Sequence, residues 1–410
     1  MGYKRILFYC VLIVVLAYLL HRPLPQGISD RSKLHIFETI MRVTYYYPCK
    51  LFKWLNFVDW QLNWTRRALE IYLAIFNPWS REDSDLHIYD REMAGVPVKV
   101  YVPKGQRHSD GAIIFIHGGG FVLMDIESYD GFMRELARES KMVAISVEYR
   151  LAPEHVFPAG IEDCQKVLEH FLDVGHKEFD VDPTKVAIMG DSAGGNLAAV
   201  VSQRMRYRER KPKMQALLYP VLQYLDFLTP SYQLYYAEYG GTSLLDPESI
   251  ARWLMMYVGV EPHPHRIEQV LRNNHTTLDS RRLAHWEHVR HEHLPEKLKH
   301  PAYSHPPTPY GDNEVYKLME PFIFNPDFSP LMHPDLSGLP KALVITMEFD
   351  ILRDEGFWYT KRLQEHGVNV HHKHYDTGFH GMLNFFHEIS AARQAIKDIA
   401  AYTVDGLNSD

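Results

Sequence analysis

Ser192 has the surroundings of a catalytic nucleophile. The sequence Gly190-Asp191-Ser192-Ala193-Gly194 follows an apolar run, residues 186–189, that is typical of a buried strand, and it opens a stretch of small residues typical of a helix. A sharp turn from strand to helix exposes the serine at the carboxyl end of a sheet and requires glycine on both sides of it. The amino end of the following helix favours developing negative charge. We therefore predict that Ser192 attacks a carbonyl carbon.

A glycine-rich loop lies upstream of this serine. His117-Gly118-Gly119-Gly120 follows a second apolar run, residues 112–116. Glycines let backbone N–H groups approach a reacting oxygen, so we predict that the amides of Gly118, Gly119 and Ala193 form an oxyanion hole. We expect His117 to hold the loop rather than to transfer protons. A phosphate-binding loop is the alternative, but no Lys-Ser or Lys-Thr pair follows the glycines.

A nucleophilic serine needs a base, and the base needs a group that orients it. Asp350 follows an apolar strand, residues 343–347, after Glu348 and Phe349. His380 lies in a predicted short loop with glycines on both sides of it, Asp376-Thr377-Gly378-Phe379-His380-Gly381-Met382. The order Ser192, Asp350, His380 is the chain order of one known type of serine triad. We predict that His380 is the base and Asp350 its partner. Asp354 is a competing candidate, although its place in the first turn of a helix suits a cap.

The elements that must position these residues alternate between strands and helices. Strands are predicted at 96–102, 112–116, 143–147, 186–189, 216–219, 343–347 and 368–375, and helices at 129–140, 159–172 and 193–208. This alternation predicts an α/β fold with a mostly parallel sheet covered by helices on both faces. The alternation stops near Gln223 and resumes near Leu339, which indicates a helical cap inserted at about 223–338 in a catalytic domain spanning 85–410.

The segment 23–84 is rich in aromatic residues at roughly helical spacing, Tyr45 to Trp64 above all. We predict helices that pack on the catalytic domain as part of the cap. The alternative is that their aromatic face enters a membrane interface.

An apolar run at the N-terminus predicts membrane attachment through residues 1–22. Ile6 to Leu20 has no charged residue, follows Lys4 and Arg5, and is somewhat shorter than the ~20 residues of a usual spanning helix. Its end lacks the small residues that signal peptidase prefers, so an uncleaved anchor is favoured over a cleaved signal. The positive-inside rule then predicts a cytosolic stub and a translocated catalytic domain, although Arg22 and Arg31 weaken the charge asymmetry.

Translocation is compatible with two glycosylation sequons, at Asn63 and Asn274. The chain has three cysteines, and Cys10 lies in the apolar run, so the one conceivable disulfide joins Cys49 and Cys164. The sequence leaves open whether that bond forms.

Composition excludes several other classes of protein. With 410 residues, 46% hydrophobic and 23% charged, the chain has ordinary globular values, and its net charge of −7 gives no basic surface for binding nucleic acid.

Four histidines in the cap, His285, His288, His291 and His293, are spaced so that some can share a helical face, which raises a metal site as an alternative. The HExxH pattern is absent, and we predict neither a metal nor a cofactor.

Taken together, five motifs resemble the hormone-sensitive lipase family of α/β-hydrolases, and within it the arylacetamide deacetylase and neutral cholesterol ester hydrolase group. They are HGGGF at 117–121, EYRLAPEH at 148–155, GDSAGGNLA at 190–198, EFDILRDEG at 348–356 and GFHGM at 378–382. The resemblance implies the α/β-hydrolase fold, a triad of Ser192, Asp350 and His380, and an oxyanion loop at His117, Gly118 and Gly119. It also implies a single-pass type II protein of the endoplasmic reticulum membrane with a luminal catalytic domain.

The resemblance further implies hydrolysis of carboxylic esters or arylacetamides with a hydrophobic acyl or aryl group. Members of this family can carry a cysteine directly before the acidic motif, where this chain has Met347. A non-catalytic small-molecule receptor is the alternative, because a plant hormone receptor of this fold has lost its catalytic histidine. The intact sequence around His380 favours turnover.

Overall fold

The computed structural model of the chain describes residues 8–9, 21–55, 58–76, 83–304, 311 and 313–409. The predicted anchor, Ile6 to Leu20, therefore lies outside the described residues apart from Phe8 and Tyr9. Within the described part, none of the helices combines the length and the apolar character needed to cross a bilayer.

One eight-stranded sheet forms the centre of the molecule. Its strands are β1 (Leu86–Met93), β2 (Val96–Pro103), β3 (Ala112–Ile116), β4 (Val143–Val147), β5 (Val186–Asp191), β6 (Met214–Leu218), β7 (Lys341–Phe349) and β8 (Val370–Phe379). They lie in the order β1-β2-β4-β3-β5-β6-β7-β8. The pairs β1·β2 and β2·β4 are antiparallel, and all other neighbours are parallel. The predicted mostly parallel sheet is confirmed.

Strands in the middle of the sheet are mostly apolar and are buried along their whole length, because helices cover both faces. Every residue of β3, β4, β5 and β6 is buried. By contrast, β1 contains exposed polar residues, which is why its sequence gave no strand signal. It is an antiparallel edge strand that sequence analysis missed.

Twelve α-helices are described around the sheet and over its carboxyl edge. They are α1 (Arg31–Met41), α2 (Tyr47–Trp54), α3 (Val58–Phe76), α4 (Asp130–Ser140), α5 (Ala159–Asp173), α6 (Ala193–Met205), α7 (Pro230–Leu234), α8 (Pro247–Tyr257), α9 (Pro264–Leu271), α10 (Asn313–Ile323), α11 (Arg353–Glu365) and α12 (Ser390–Asn408). A π-helical turn, Arg42–Tyr46, joins α1 to α2. The short helices α7 to α10 lie between β6 and β7, together with several 3₁₀ turns.

The N-terminal helices are attached to the rest of the chain by polar contacts. Glu38 of α1 accepts a hydrogen bond from the Ser243 amide at 3.0 Å, and its carboxylate pairs with Arg42 at 2.7 Å. Arg66 of α3 donates to Glu154 Oε1 at 2.6 Å and to the Val122 carbonyl at 2.8 Å. These contacts hold α1 and α3 against the loops at the carboxyl edge of the sheet.

Candidate active site

Ser192 lies between β5 and α6 with a backbone conformation that side chains rarely adopt, φ 53° and ψ −119°. The turn is tight enough to exclude side chains on both sides of the serine. A Cβ atom on Gly190 would lie 2.2 Å from the Gly194 carbonyl oxygen, and one on Gly194 would lie 2.0 Å from the Ile116 carbonyl oxygen. The predicted strand-turn-helix context of Ser192 is therefore present, and its strain depends on two glycines.

The three predicted catalytic residues converge at this turn. His380 Nε2 lies 2.9 Å from Ser192 Oγ, and His380 Nδ1 lies 2.8 Å from Asp350 Oδ2. Asp350 is buried, and its other oxygen accepts the Leu352 amide at 2.8 Å. This chain of hydrogen bonds can move a proton from the hydroxyl to the imidazole while the carboxylate fixes the ring.

Sheet pairing explains why His380 meets Asp350. Phe349 at the end of β7 pairs with Phe379 at the end of β8, and the two polar residues follow directly. Strand β8 extends to Phe379, so residues 376–379, predicted to be a loop, belong to its irregular end. The loop prediction for these four residues was wrong, because the strand continues through a register shift until Phe379 pairs with Phe349.

The competing candidate, Asp354, lies elsewhere. Its Oδ2 accepts the Ser231 amide at 2.7 Å, its Oδ1 accepts Arg353 Nε at 3.0 Å, and its side chain is fully buried. Asp354 thus joins the start of α11 to the start of α7 and makes no hydrogen bond with His380.

The glycine loop differs in one respect from the predicted oxyanion hole. The Gly118 amide donates to Asp191 Oδ1 at 2.8 Å and approaches Tyr129 Oη at 3.2 Å, so its hydrogen is already used within the fold. The amides of Gly119, Gly120 and Ala193 donate to no other described residue. Gly119 has φ 110°, which glycine tolerates far better than other residues.

His117 is fully buried, its ring stacks on Tyr149 with centroids 4.4 Å apart, and its Nδ1 lies 2.8 Å from the Gly118 carbonyl. Burial lowers the pKa of His117 to about 4. The imidazole is therefore neutral at physiological pH and braces the loop.

Asp191 connects the loop to the nucleophile, a link that sequence analysis missed. Its carboxylate accepts the Gly118 amide and the Tyr129 hydroxyl, each at 2.8 Å, and it directly precedes Ser192. Burial raises the pKa of Asp191 to about 6, although these hydrogen bonds oppose the rise. Ile116 pairs with Gly190 across β3 and β5, which brings the two turns together. The sequence gave no sign of this contact, because Gly118 and Asp191 are 73 residues apart in the chain.

Comparison with known proteins identifies the fold family. The sequence model of the alpha/beta hydrolase fold matches residues 113–284 and 312–384. The chain belongs to the alpha/beta hydrolase fold family. The match spans the glycine loop, the serine turn and the loop that contains His380.

This α/β hydrolase is similar over nearly its whole length to two kinds of enzyme. It is 36% identical to neutral cholesterol ester hydrolase 1 of Mus musculus over 399 residues, 92% of this chain and 93% of that protein. It is 35% identical to arylacetamide deacetylase of Bos taurus over 396 residues, 93% of this chain and 94% of that protein. The predicted membership of this group is confirmed.

Solved esterases share the architecture. The thermostable carboxylesterase EstE1 from a metagenomic library has a TM-score of 0.63 at 29% identity, covering 85% of this chain and 98% of that one. An esterase of Pyrobaculum calidifontis has a TM-score of 0.62 at 28% identity, covering 88% and 97%. This α/β hydrolase is an ester hydrolase of the carboxylesterase and lipase type.

A cavity of about 190 Å³ opens onto Ser192 and His380. Much of its wall is apolar and comes from α1, the glycine loop and α8, namely Leu34, Phe37, Met41, Leu123, Met124 and Trp253. Glu38, the polar exception on α1, also lines it, and burial raises the pKa of this carboxyl. The wall suits an apolar group bonded to the reacting carbonyl.

The four cap histidines do not lie on a single helix. His285 and His288 lie in the 3₁₀ segment Ala284–Val289, and His291 and His293 lie in the next one. His291 is buried between Asp226 Oδ2 at 2.7 Å and Tyr303 Oη at 2.9 Å. Among the residues that the structure describes, no three His, Cys, Asp or Glu side chains are grouped to hold a metal.

The other predicted features of single residues lie apart from the site. Cys49 and Cys164 are buried free thiols, so the disulfide that the sequence left open is not formed. Asn63 is exposed, whereas Asn274 is half-buried and its Nδ2 donates to Gln269 Oε1 at 2.7 Å.

Proposed function

We propose that this hydrolase cleaves carboxylic esters with a hydrophobic acyl or aryl group through Ser192, His380 and Asp350, by way of an acyl-enzyme. The observation that carries the proposal is the unbroken hydrogen-bond chain, 2.9 Å from Ser192 Oγ to His380 Nε2 and 2.8 Å from His380 Nδ1 to Asp350 Oδ2. A general base within this reach of a nucleophile meets the geometric condition for activation.

In the acylation step, His380 Nε2 takes the hydroxyl proton as Ser192 Oγ bonds to the ester carbonyl carbon. The imidazolium is stabilised by Asp350. When the tetrahedral intermediate collapses, the bond to the alkoxy oxygen breaks and His380 returns its proton to that oxygen, releasing the alcohol. In the second half, His380 deprotonates water, which attacks the acyl carbon; the acid leaves and Ser192 recovers its proton.

For the oxyanion we retain Gly119 and Ala193 and add Gly120 in place of Gly118. Gly119, Gly120 and Ser192 line the same cavity, whereas the Gly118 amide is bonded to Asp191. Loss of one such donor typically lowers kcat by about 10²–10³.

For the substrate we propose lipid esters or arylacetamides, as the names of the relatives suggest. The apolar cavity wall contributed by Phe37, Met41 and Trp253 supports a hydrophobic group there. An acyl-chain-length series of esters beside an arylacetamide, assayed with wild type and Ser192→Ala, tests this assignment. Equal turnover across the series would contradict a hydrophobic acyl site.

We further propose the predicted topology: a cytosolic stub and signal anchor at 1–22, a helical segment at 23–84 and a luminal catalytic domain at 85–410 with a cap at about 223–338. The enzyme would then be a single-pass type II protein of the endoplasmic reticulum membrane, a glycoprotein if Asn63 or Asn274 is used. The uncharged run Ile6 to Leu20 and the preceding Lys4 and Arg5 support this orientation.

Fluorophosphonate labelling tests the catalytic proposal against a non-catalytic receptor. We expect wild type to be labelled at Ser192 and Ser192→Ala to remain unlabelled, with burst release of product only in the former. An unreactive serine in folded protein would favour the receptor.

A further inference from the structure

The N-terminal helices expose an apolar surface. Ile36, Ile40 and Val43 are 62%, 38% and 47% exposed, and their spacing of four and three residues places them on one helical face. The surface continues with Leu51 and Leu55 at α2 and with Trp64 and Ile71 of α3. These seven residues, which we call the N-terminal apolar face, make up seven of the fifteen large exposed apolar side chains in the described part of the chain. Such clustering marks an interaction surface.

Trp64 joins the parts of this face. Its indole Nε1 donates to the Thr44 carbonyl at 2.9 Å, beside Val43, and its ring lies 5.9 Å from that of Phe52 in α2. The three helical segments therefore present one connected surface.

The chain that follows the apolar run begins beside this face. His21, the residue after the run, stacks on His35 of α1 with ring centroids 5.3 Å apart. The next residues are fixed on the catalytic domain, because Leu24 and Ile28 are buried and Arg31 Nε donates to the Leu24 carbonyl at 3.0 Å. His21, the first residue described after the apolar run, therefore lies beside the neighbour of Ile36 in α1.

Among the side chains of these helices whose exposure the structure describes, the exposed charges have one sign. The exposed charged side chains described there are Arg31, Lys33, Lys50 and Arg67, all basic. Basic side chains around an apolar face complement a bilayer that contains anionic lipid.

We propose that the N-terminal apolar face lies in the interfacial layer of a phospholipid bilayer and that ester substrates reach Ser192 from that layer past α1. This inference rests on the proposed membrane anchor and esterase function. The opposite face of α1, with Leu34, Phe37 and Met41, lines the catalytic cavity, so one helix separates the bilayer from the site. An apolar ester can then move from membrane to cavity without crossing water.

The depth of the face is tested with the full chain reconstituted in phosphatidylcholine–phosphatidylserine vesicles. An environment-sensitive fluorophore is attached at Ile40→Cys or, as the control, at Tyr207→Cys, after replacement of the native cysteines. Tyr207 is 74% exposed beyond the far end of α6. We expect brominated lipid to quench the probe at 40 and to leave the probe at 207 unchanged. A probe at position 40 that remains exposed to solvent would overturn the proposal. So would a probe that is shielded by the anchor or by a second copy of the chain and is not quenched by brominated lipid.

Substrate entry is tested with Ile36→Glu/Ile40→Glu. We expect hydrolysis of a long-chain ester dissolved in the vesicles to fall by about tenfold or more, while kcat/KM for a water-soluble short-chain ester stays within about twofold. Val174→Glu is the matched control, since Val174 is 50% exposed at the far end of α5. Equal effects on both esters would refute entry from the bilayer. Absence of short-chain activity in wild type would instead refute the esterase proposal. The quenching measurement tests the position of the face separately, because it does not depend on catalysis.

Discussion

Phe349 of β7 and Phe379 of β8 are paired across the sheet, and the residues that follow them, Asp350 and His380, are hydrogen-bonded at 2.8 Å. The strand pairing therefore places the proposed base directly after the end of β8 and beside its carboxylate partner. Asp350, but not Asp354, is placed beside His380 in this way, so substitutions of the two aspartates should have different effects.

Asp350→Asn should lower kcat by about 10⁴ while the protein remains folded, because an amide favours the wrong imidazole tautomer. Asp354→Asn is the matched control and should lower the melting temperature without a comparable loss of kcat, since Asp354 binds the Ser231 amide and Arg353. Steady-state kinetics and thermal unfolding of both variants check this. The reverse pattern would exchange the roles of the two residues.

Asp191→Asn should change the pH dependence of stability. Burial raises the pKa of Asp191 to about 6, so the native state holds a proton that the unfolded state releases above its ordinary pKa near 3.8. Wild type therefore loses stability from this group as pH rises from about 4 to 6, by on the order of 3 kcal/mol. The asparagine variant lacks that loss.

Denaturant unfolding of wild type and Asp191→Asn at pH 4 and pH 7 measures the difference. Relative to wild type, the variant should gain stability between the two values. A stability difference that is independent of pH would contradict a raised pKa of Asp191.

Asp191→Ala should also lower kcat, because the Gly118 amide loses its acceptor.

His291→Asn should destabilise the segment between β6 and β7 most at low pH. Although burial opposes the charged form, the hydrogen bond and charge of Asp226 raise the pKa of His291 above its usual 6.5. A raised histidine pKa contributes stability that is complete below 6.5 and is lost as pH rises through the folded-state value. The loss of melting temperature should thus be larger at pH 6 than at pH 9. His265→Asn, at an exposed position, is the control.

Glycan attachment should distinguish the two sequons. Asn63 is exposed on α3, whereas Asn274 is half-buried and bonded to Gln269, with Thr276 fully buried beside it. In protein from secretory cells, Asn63→Gln should remove a glycosidase-sensitive gel shift and Asn274→Gln should have the smaller effect. No shift in wild type would count against the luminal orientation.

Much of the fold could be read from the sequence because its signals are local. Continuous apolar runs predicted the buried parallel strands, and glycine on both sides of Ser192 predicted the turn. Strand β1 was missed because edge strands expose polar residues. The end of β8 was missed because Asp376 to Gly378 look like a loop, although Phe379 after them pairs with Phe349 of β7.

The sequence by itself determined which residues we propose for the chemistry and their order along the chain, because Ser192, Asp350 and His380 each stand in a recognisable local pattern. Tertiary structure alone decided which amides remain available to an oxyanion, because the bond from Gly118 to Asp191 joins turns on two separate strands. It likewise decided that α1 has one apolar face in the cavity and another at the surface. Local spacing reveals an apolar helix face, whereas what covers that face depends on contacts between residues distant in sequence.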